Sequence, residues 1–77
     1  MRDKDEIVRA FRYNLLDAIN DNGTNQAKLS RAAGASDNAV YLYCHGKSVP
    51  TLVPLVRIAD ALGVTVDELV RPRKGKR

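Results

Sequence analysis

Near the start of the chain, apolar residues recur at steps of three and four: Val8, Phe11, Leu15, Ala18 and Ile19. That is the period of one helix face, and it predicts a first helix over about residues 4–21. Asp3 and Glu6 stand at capping-box spacing where it begins, and Asn22-Gly23, both tolerant of left-handed backbone, stop it. Leu29, Ala32 and Ala33 give a second helix, about 26–33, with Asn25 as its cap and Gly34 at its end. Val40 and Tyr43 form the apolar pair of a third, about 37–45. Ser36 is expected to cap it, Asp37 to sit in its first turn, where the helix dipole favours an anion, and Gly46 to end it.

Leu55, Ile58, Ala59 and Leu62 mark a fourth helix, about 52–62, capped by Thr51 and stopped by Gly63. Pro54 falls at its third position, where an N–H has no partner within the helix anyway. Thr65 and Glu68 have capping-box spacing and open a short fifth helix to about residue 70. Pro72 and the basic residues around it predict a disordered tail over 71–77. The reading is therefore all-α, five helices, one domain over 1–70.

Composition narrows the chemistry. The 77 residues contain one cysteine, Cys44, and one histidine, His45. No internal disulfide and no Cys/His zinc cluster can form from that set, so neither metal nor cofactor is expected, and a reducing cytoplasm is the expected compartment. No stretch approaches the roughly 20 apolar residues of a membrane span. Met1 to Glu6 are not followed by the apolar core of a signal peptide. An enzyme has no support: Asp37 and His45 are about two helical turns apart. Paired carboxylates, a nucleophile with its base and a phosphate-cradling glycine loop are all missing.

Charge changes the picture by where it lies. The net charge is +4, yet residues 1–70 hold all nine acids against eight Lys and Arg. Arg71, Arg73, Lys74, Lys76 and Arg77 supply the excess. Within 22–51, Lys28, Arg31 and Lys47 stand against Asp37 alone. Basic clustering of this kind is the footprint of a polyanionic partner, although a solvated basic end looks the same.

The second and third helices are joined by Gly34-Ala35-Ser36, a turn short enough for a helix-turn-helix. The glycine lets the chain reverse and the small alanine fills the angle. The third helix is then presented outward, short enough for a major groove about 12 Å wide. The order of residues adds to the spacing: Asn25-Gln26, Leu29-Ser30, Ala33-Gly34-Ala35-Ser36, Val40, Tyr43, Gly46-Lys47, Pro50-Thr51, Leu55, Ile58-Ala59, Ala61-Leu62-Gly63-Val64 and Asp67-Glu68-Leu69. In this order the chain resembles the Cro/CI-type helix-turn-helix, or XRE, family of phage and bacterial transcriptional regulators. The resemblance implies a five-helix lambda-repressor-like DNA-binding domain.

It also implies site residues. Gln26 matches a glutamine that touches phosphate and braces the recognition helix, and Asn25 matches a backbone-contacting position beside it; Lys28 adds charge there. Free N–H groups at a helix start suit phosphate. Asp37, Asn38, Tyr41 and Leu42 match outward positions that meet base edges, with Ser36 leading into them. Asn38 is the best reader, because an amide can bond adenine N6 and N7 together. His45, Lys47 and Ser48 match phosphate-gripping positions after the helix. Plainer readings stand beside these: Asn38 as a solvated helix residue, Asp37 as a dipole partner that repels phosphate, Tyr41 packed on a neighbour, Tyr43 as core, and Cys44 as a small buried hydrophobe.

Many members of that family pair an Arg late in the first helix with a Glu near the end of the third. Ile19 and Cys44 stand at those positions, so both charges are absent together. Two apolar groups avoid the desolvation cost of a buried ion pair. Ile19 and Cys44 are therefore expected to approach in the core. The reading face also lacks the usual Gln and Arg, which leaves Lys28, Arg31, Lys47 and the tail to attract phosphate. Two functions follow. The first is a sequence-specific, double-stranded-DNA-binding regulator, a repressor, acting as a homodimer that uses outer apolar residues such as Val53, Val56, Val66 and Val70. The second is an antitoxin-like or adaptor protein-interaction module of the same fold with weak DNA binding. RNA stays open as a ligand.

Overall fold

The computed structural model describes residues 2–72. Five helices follow one another: α1 (Lys4–Asp21), α2 (Gln26–Ala32), α3 (Ala39–Cys44), α4 (Leu52–Leu62) and α5 (Val66–Val70). Among the described residues there is no strand. The basic run at 73–77, on which the expectation of a disordered tail mostly falls, lies outside the described residues. Arg71 does not share that expectation. Its N–H donates to the Asp67 carbonyl and its guanidinium pairs with the Asp67 carboxylate.

The caps explain why the helices begin where they do. Asp3 accepts from the Glu6 N–H at 2.8 Å, and Asn25 from the Lys28 N–H at 2.9 Å. Thr65 and Glu68 make the full reciprocal box. Thr51 heads α4 without a side-chain bond.

The third helix departs from expectation. Ser36 does not cap it: its carbonyl accepts from the Ala39 N–H at 3.0 Å, closing a tight turn, and the helix starts at Ala39 behind Asn38. The cap comes from elsewhere in the fold. The Ser30 hydroxyl, on α2 and fully buried, accepts from the Val40 N–H at 3.0 Å. The same residue's carbonyl accepts from the Ala35 N–H at 2.8 Å, across Gly34 at φ 72°. A tertiary bond thus replaces the local one, and Asp37 and Asn38 are left in the turn ahead of the helix.

The helices close around one apolar cluster: Phe11, Leu15 and Ile19 from α1, Leu29 and Ala33, Val40, Tyr43 and Cys44 from α3, Ile58, Ala59 and Leu62 from α4, and Leu69 from α5. Ile19 and Cys44, expected to approach each other, are both members of this cluster. The Phe11 and Tyr43 rings meet edge to face, with centroids 6.3 Å apart. α1 packs on α5 and α3, and α2 on α3 and α4. Val8 stays half-buried outside the cluster.

Asn14 is the polar exception, 3 % exposed in the middle of the α1 face. Its amide donates to the carbonyls of Leu69 at 2.9 Å and Arg71 at 2.8 Å. These are carbonyls that the end of a short helix leaves without partners. Arg2 does the same for Val70 at 2.7 Å.

Two substitutions test these two bonds. Ser30→Ala leaves the buried Val40 N–H without an acceptor and is expected to cost about 1–3 kcal/mol. Asn14→Leu strips α5 of its carbonyl partners and is expected to cost a similar amount. For a domain of this size each kcal/mol moves the thermal midpoint by about 4–8 °C, so both are measurable by thermal denaturation. An unchanged midpoint would remove either bond from the account.

Candidate nucleic-acid interface

The face that α3 turns away from the core is built by helical period. Asn38, Tyr41, Leu42 and His45 are spaced so that they fall on one side, opposite the buried Val40, Tyr43 and Cys44. Asn38, Tyr41 and His45 are exposed, and Leu42 is half-buried at the edge of the stripe. Ser36 and Asp37 are exposed in the turn that precedes them.

Tyr41 and His45 act as a pair. Their rings lie 4.0 Å apart between centroids, tilted by 32°. His45 Nδ1 is 3.0 Å from the Tyr41 carbonyl. A carbonyl only accepts, so this bond places the proton on Nδ1 and leaves Nε2 of a neutral ring as an outward acceptor.

Asp37 meets Arg31 at 3.8 Å, with both side chains largely in water. Such a pair contributes little to stability. Its effect is on charge: Asp37 draws on a cation of α2 that would otherwise face a ligand undivided.

At the start of α2, Asn25 and Lys28 are exposed and Gln26 is half-buried. The Gln26 side chain lies close enough to the Cys44 thiol to favour its ionised form. Burial pushes that thiol above its ordinary pKa, opposed by the Arg12 guanidinium and by the Gln26 contact. Gln26, the first residue of α2, thus stands near Cys44, the last of α3.

The loop after α3 is fixed by a second glycine. Gly46, at φ 71°, lets the Lys47 N–H reach back to the Leu42 carbonyl at 2.9 Å. A side chain there would stand 3.1 Å from the Arg12 guanidinium, which lies against it. Arg12 Nε donates to the Cys44 carbonyl at 3.3 Å, at the electronegative end of α3. Lys47 and Ser48 follow, both exposed.

The structure thus brings Asn25, Gln26 and Lys28, the turn at Ser36 and Asp37, the α3 stripe and the Lys47-Ser48 loop around two short helices. Sequence reasoning missed Ser30 and Arg12, which hold α3 at its two ends. Ser30 is a small polar residue beside Leu29, without periodicity to mark it. Arg12 follows the core residue Phe11 and reads as an ordinary solvated charge.

Comparison with known proteins agrees with this geometry. A solved structure described as a hypothetical transcription factor, NHTF, from Neisseria superposes with a TM-score of 0.85. It is 23 % identical, over 96 % of this chain and 85 % of that one, which shows a common fold. No curated protein matches the chain. The family model for the Cro/C1-type HTH DNA-binding domain matches residues 14–74, from the middle of α1 past the end of α5. With the two-helix unit, its turn and its outward stripe all inside that match, the chain belongs to the Cro/C1-type helix-turn-helix DNA-binding family.

Proposed function

We propose that the protein is a sequence-specific transcriptional regulator, a repressor, that sets α3 into the major groove of double-stranded DNA in the bacterial cytoplasm. The observation that carries this reading is the state of α3. Its ends are held by Ser30 and Arg12, while Asn38, Tyr41 and His45 are exposed on the outer side. A helix of this length spans about 9 Å, within a major groove about 12 Å wide. In this reading Asn38 reads a base edge, adenine by its chemistry, and Tyr41 and Leu42 add apolar contact. Asn25, Gln26, Lys28, Lys47 and Ser48 grip phosphates on either side, while His45 keeps its Nδ1–H on the Tyr41 carbonyl and stacks on the Tyr41 ring. Ser36 and Asp37 line the entry, with Asp37 able to accept from cytosine N4.

Two copies of such a domain read an inverted repeat. One group of outer residues available for pairing is on α4: Leu52, Val53 and Val56 are 72, 56 and 39 % exposed, with Val49 beside them in the preceding loop; Tyr13 and Leu16 are exposed on α1. Val66 and Val70 are half-buried and pack on the core, which removes them from that role. The same apolar surface, with Asp37 at the reading edge, favours a second reading as a protein-interaction module.

Selection of bound duplexes from a random pool at physiological salt separates the two readings. The regulator yields an inverted repeat. Asn38→Ala then weakens binding at one base position, at about 1–3 kcal/mol for a bidentate contact. Uniform binding across all duplexes would favour the interaction module instead. The pairing surface has its own test in sedimentation equilibrium. The unsubstituted chain is expected to be a dimer. Val53→Asp should make it a monomer with a thermal midpoint close to the original, since exposed substitutions cost within about 0.5 kcal/mol. A dimer that survives Val53→Asp would place the interface elsewhere.

A further inference from the structure

Among the cations of α1, Lys4 and Arg9 have no role in the site as described, and Arg12 serves there only to hold the end of α3. Lys4, Arg9 and Arg12 lie on one broad side of the helix and line, with Gly46, Lys47 and Ser48, a shallow open cleft of about 410 Å³. Asp5, Val8 and Val49 complete its lining. Four cations thus share the cleft with one carboxylate.

Among the described residues none of the four is in an ion pair. The ion pairs among the described residues are Arg31–Asp37 and Arg71–Asp67, and neither involves the cleft. Arg12 has a local reason for its place, because its Nε bonds the Cys44 carbonyl at the end of α3. That bond holds the guanidinium across Gly46, and among the described residues no carboxylate pairs with it. Lys4 and Arg9 are exposed and have no comparable partner. Like charges gathered around one cleft repel one another, and an anion placed among them relieves that repulsion.

From Lys4 to Arg12 this side runs about 12 Å along the helix. One strand of duplex DNA carries a charge about every 3.4 Å along its axis, so this side can follow several phosphates. The cleft also continues the Lys47-Ser48 loop, which borders α3. The opposite side of α1 has other company: Asn14, Asp17, Ala18 and Asp21 line the hollow against α5.

We propose that Lys4, Arg9 and Arg12 form a second phosphate clamp, which grips the DNA backbone that runs on from the C-terminal end of α3. The proposal rests on the DNA-binding reading above and extends it from the two-helix unit to α1. These contacts are sequence-independent. They fix how the domain sits on the duplex and supply affinity that the near-neutral body otherwise lacks.

The test is the salt dependence of binding to a mixed-sequence duplex, read by fluorescence anisotropy between about 50 and 200 mM salt. Each lost phosphate contact lowers the slope of log K against log salt by about 0.9. Arg9→Gln and Lys4→Gln, at exposed positions, should each lower it by about that amount, and Arg9→Gln with Arg12→Gln by about twice it. Arg57→Gln removes the same charge from α4, in a separate hollow lined by Ala32, Ala33, Gly34 and Asp60. It should leave the slope unchanged. Thermal denaturation of each variant confirms that the fold is kept, and the exposed Arg9 and Lys4 variants decide the matter if Arg12→Gln unfolds. If the unsubstituted chain binds with a steep slope and these variants match it, the clamp is overturned while the DNA-binding reading stands. A loss in Arg57→Gln equal to that in Arg9→Gln also overturns it, since net charge alone would then explain the effect. Absence of binding by the unsubstituted chain overturns both.

Discussion

The bond from the Val40 N–H to the Ser30 hydroxyl is the constraint from which the reading unit takes its form. A helix of six residues cannot hold itself in water, because nucleation is costly and its end groups outnumber its internal bonds. α3 exists because its neighbours supply what its own sequence does not. Ser30 takes an N–H at one end, while Arg12 donates to a carbonyl at the other. Phe11 packs on Tyr43. The residues of α3 can then be divided cleanly between a side that packs and a side that faces solvent.

The electrostatics follow the same division. A body that is almost neutral in total keeps its charges apart in space. The α5 side of α1 carries Asp17 and Asp21. The α3 side carries Lys4, Arg9 and Arg12, with Lys47 across the cleft. Asp37 does not disturb this sorting, because Arg31 stands beside it. What matters to a polyanion is the field at this face and not the sum over the chain.

Much of this frame was legible in the sequence, because helix period, capping residues and glycine stops are local signals. The five helices, the Asn25 cap and the Thr65-Glu68 box are of that kind. The start of α3 was not. Ser36 has the right type and spacing for a cap, and a bond from ten residues upstream took its place. Asn14 was hidden for a related reason: a polar residue within an apolar stripe looks like a solvated one until its partners near the other end of the chain are known. The site followed the same rule. Its outward stripe could be read from period and resemblance, while the side chains that hold it depend on tertiary approach.

The hydrogen bonds of Asn14 also set an order of assembly. The Ser30 bond joins residues ten apart, and the Asn14 bond to Leu69 joins residues 55 apart. Each doubling of a loop adds about 0.6 kcal/mol of closure entropy, so the longer loop costs about 1.5 kcal/mol more to close. Contacts between α2 and α3 can therefore form while the chain is still open, and the docking of α5 on α1 comes after them. In kinetic terms, α5 is the latch that closes a unit already shaped.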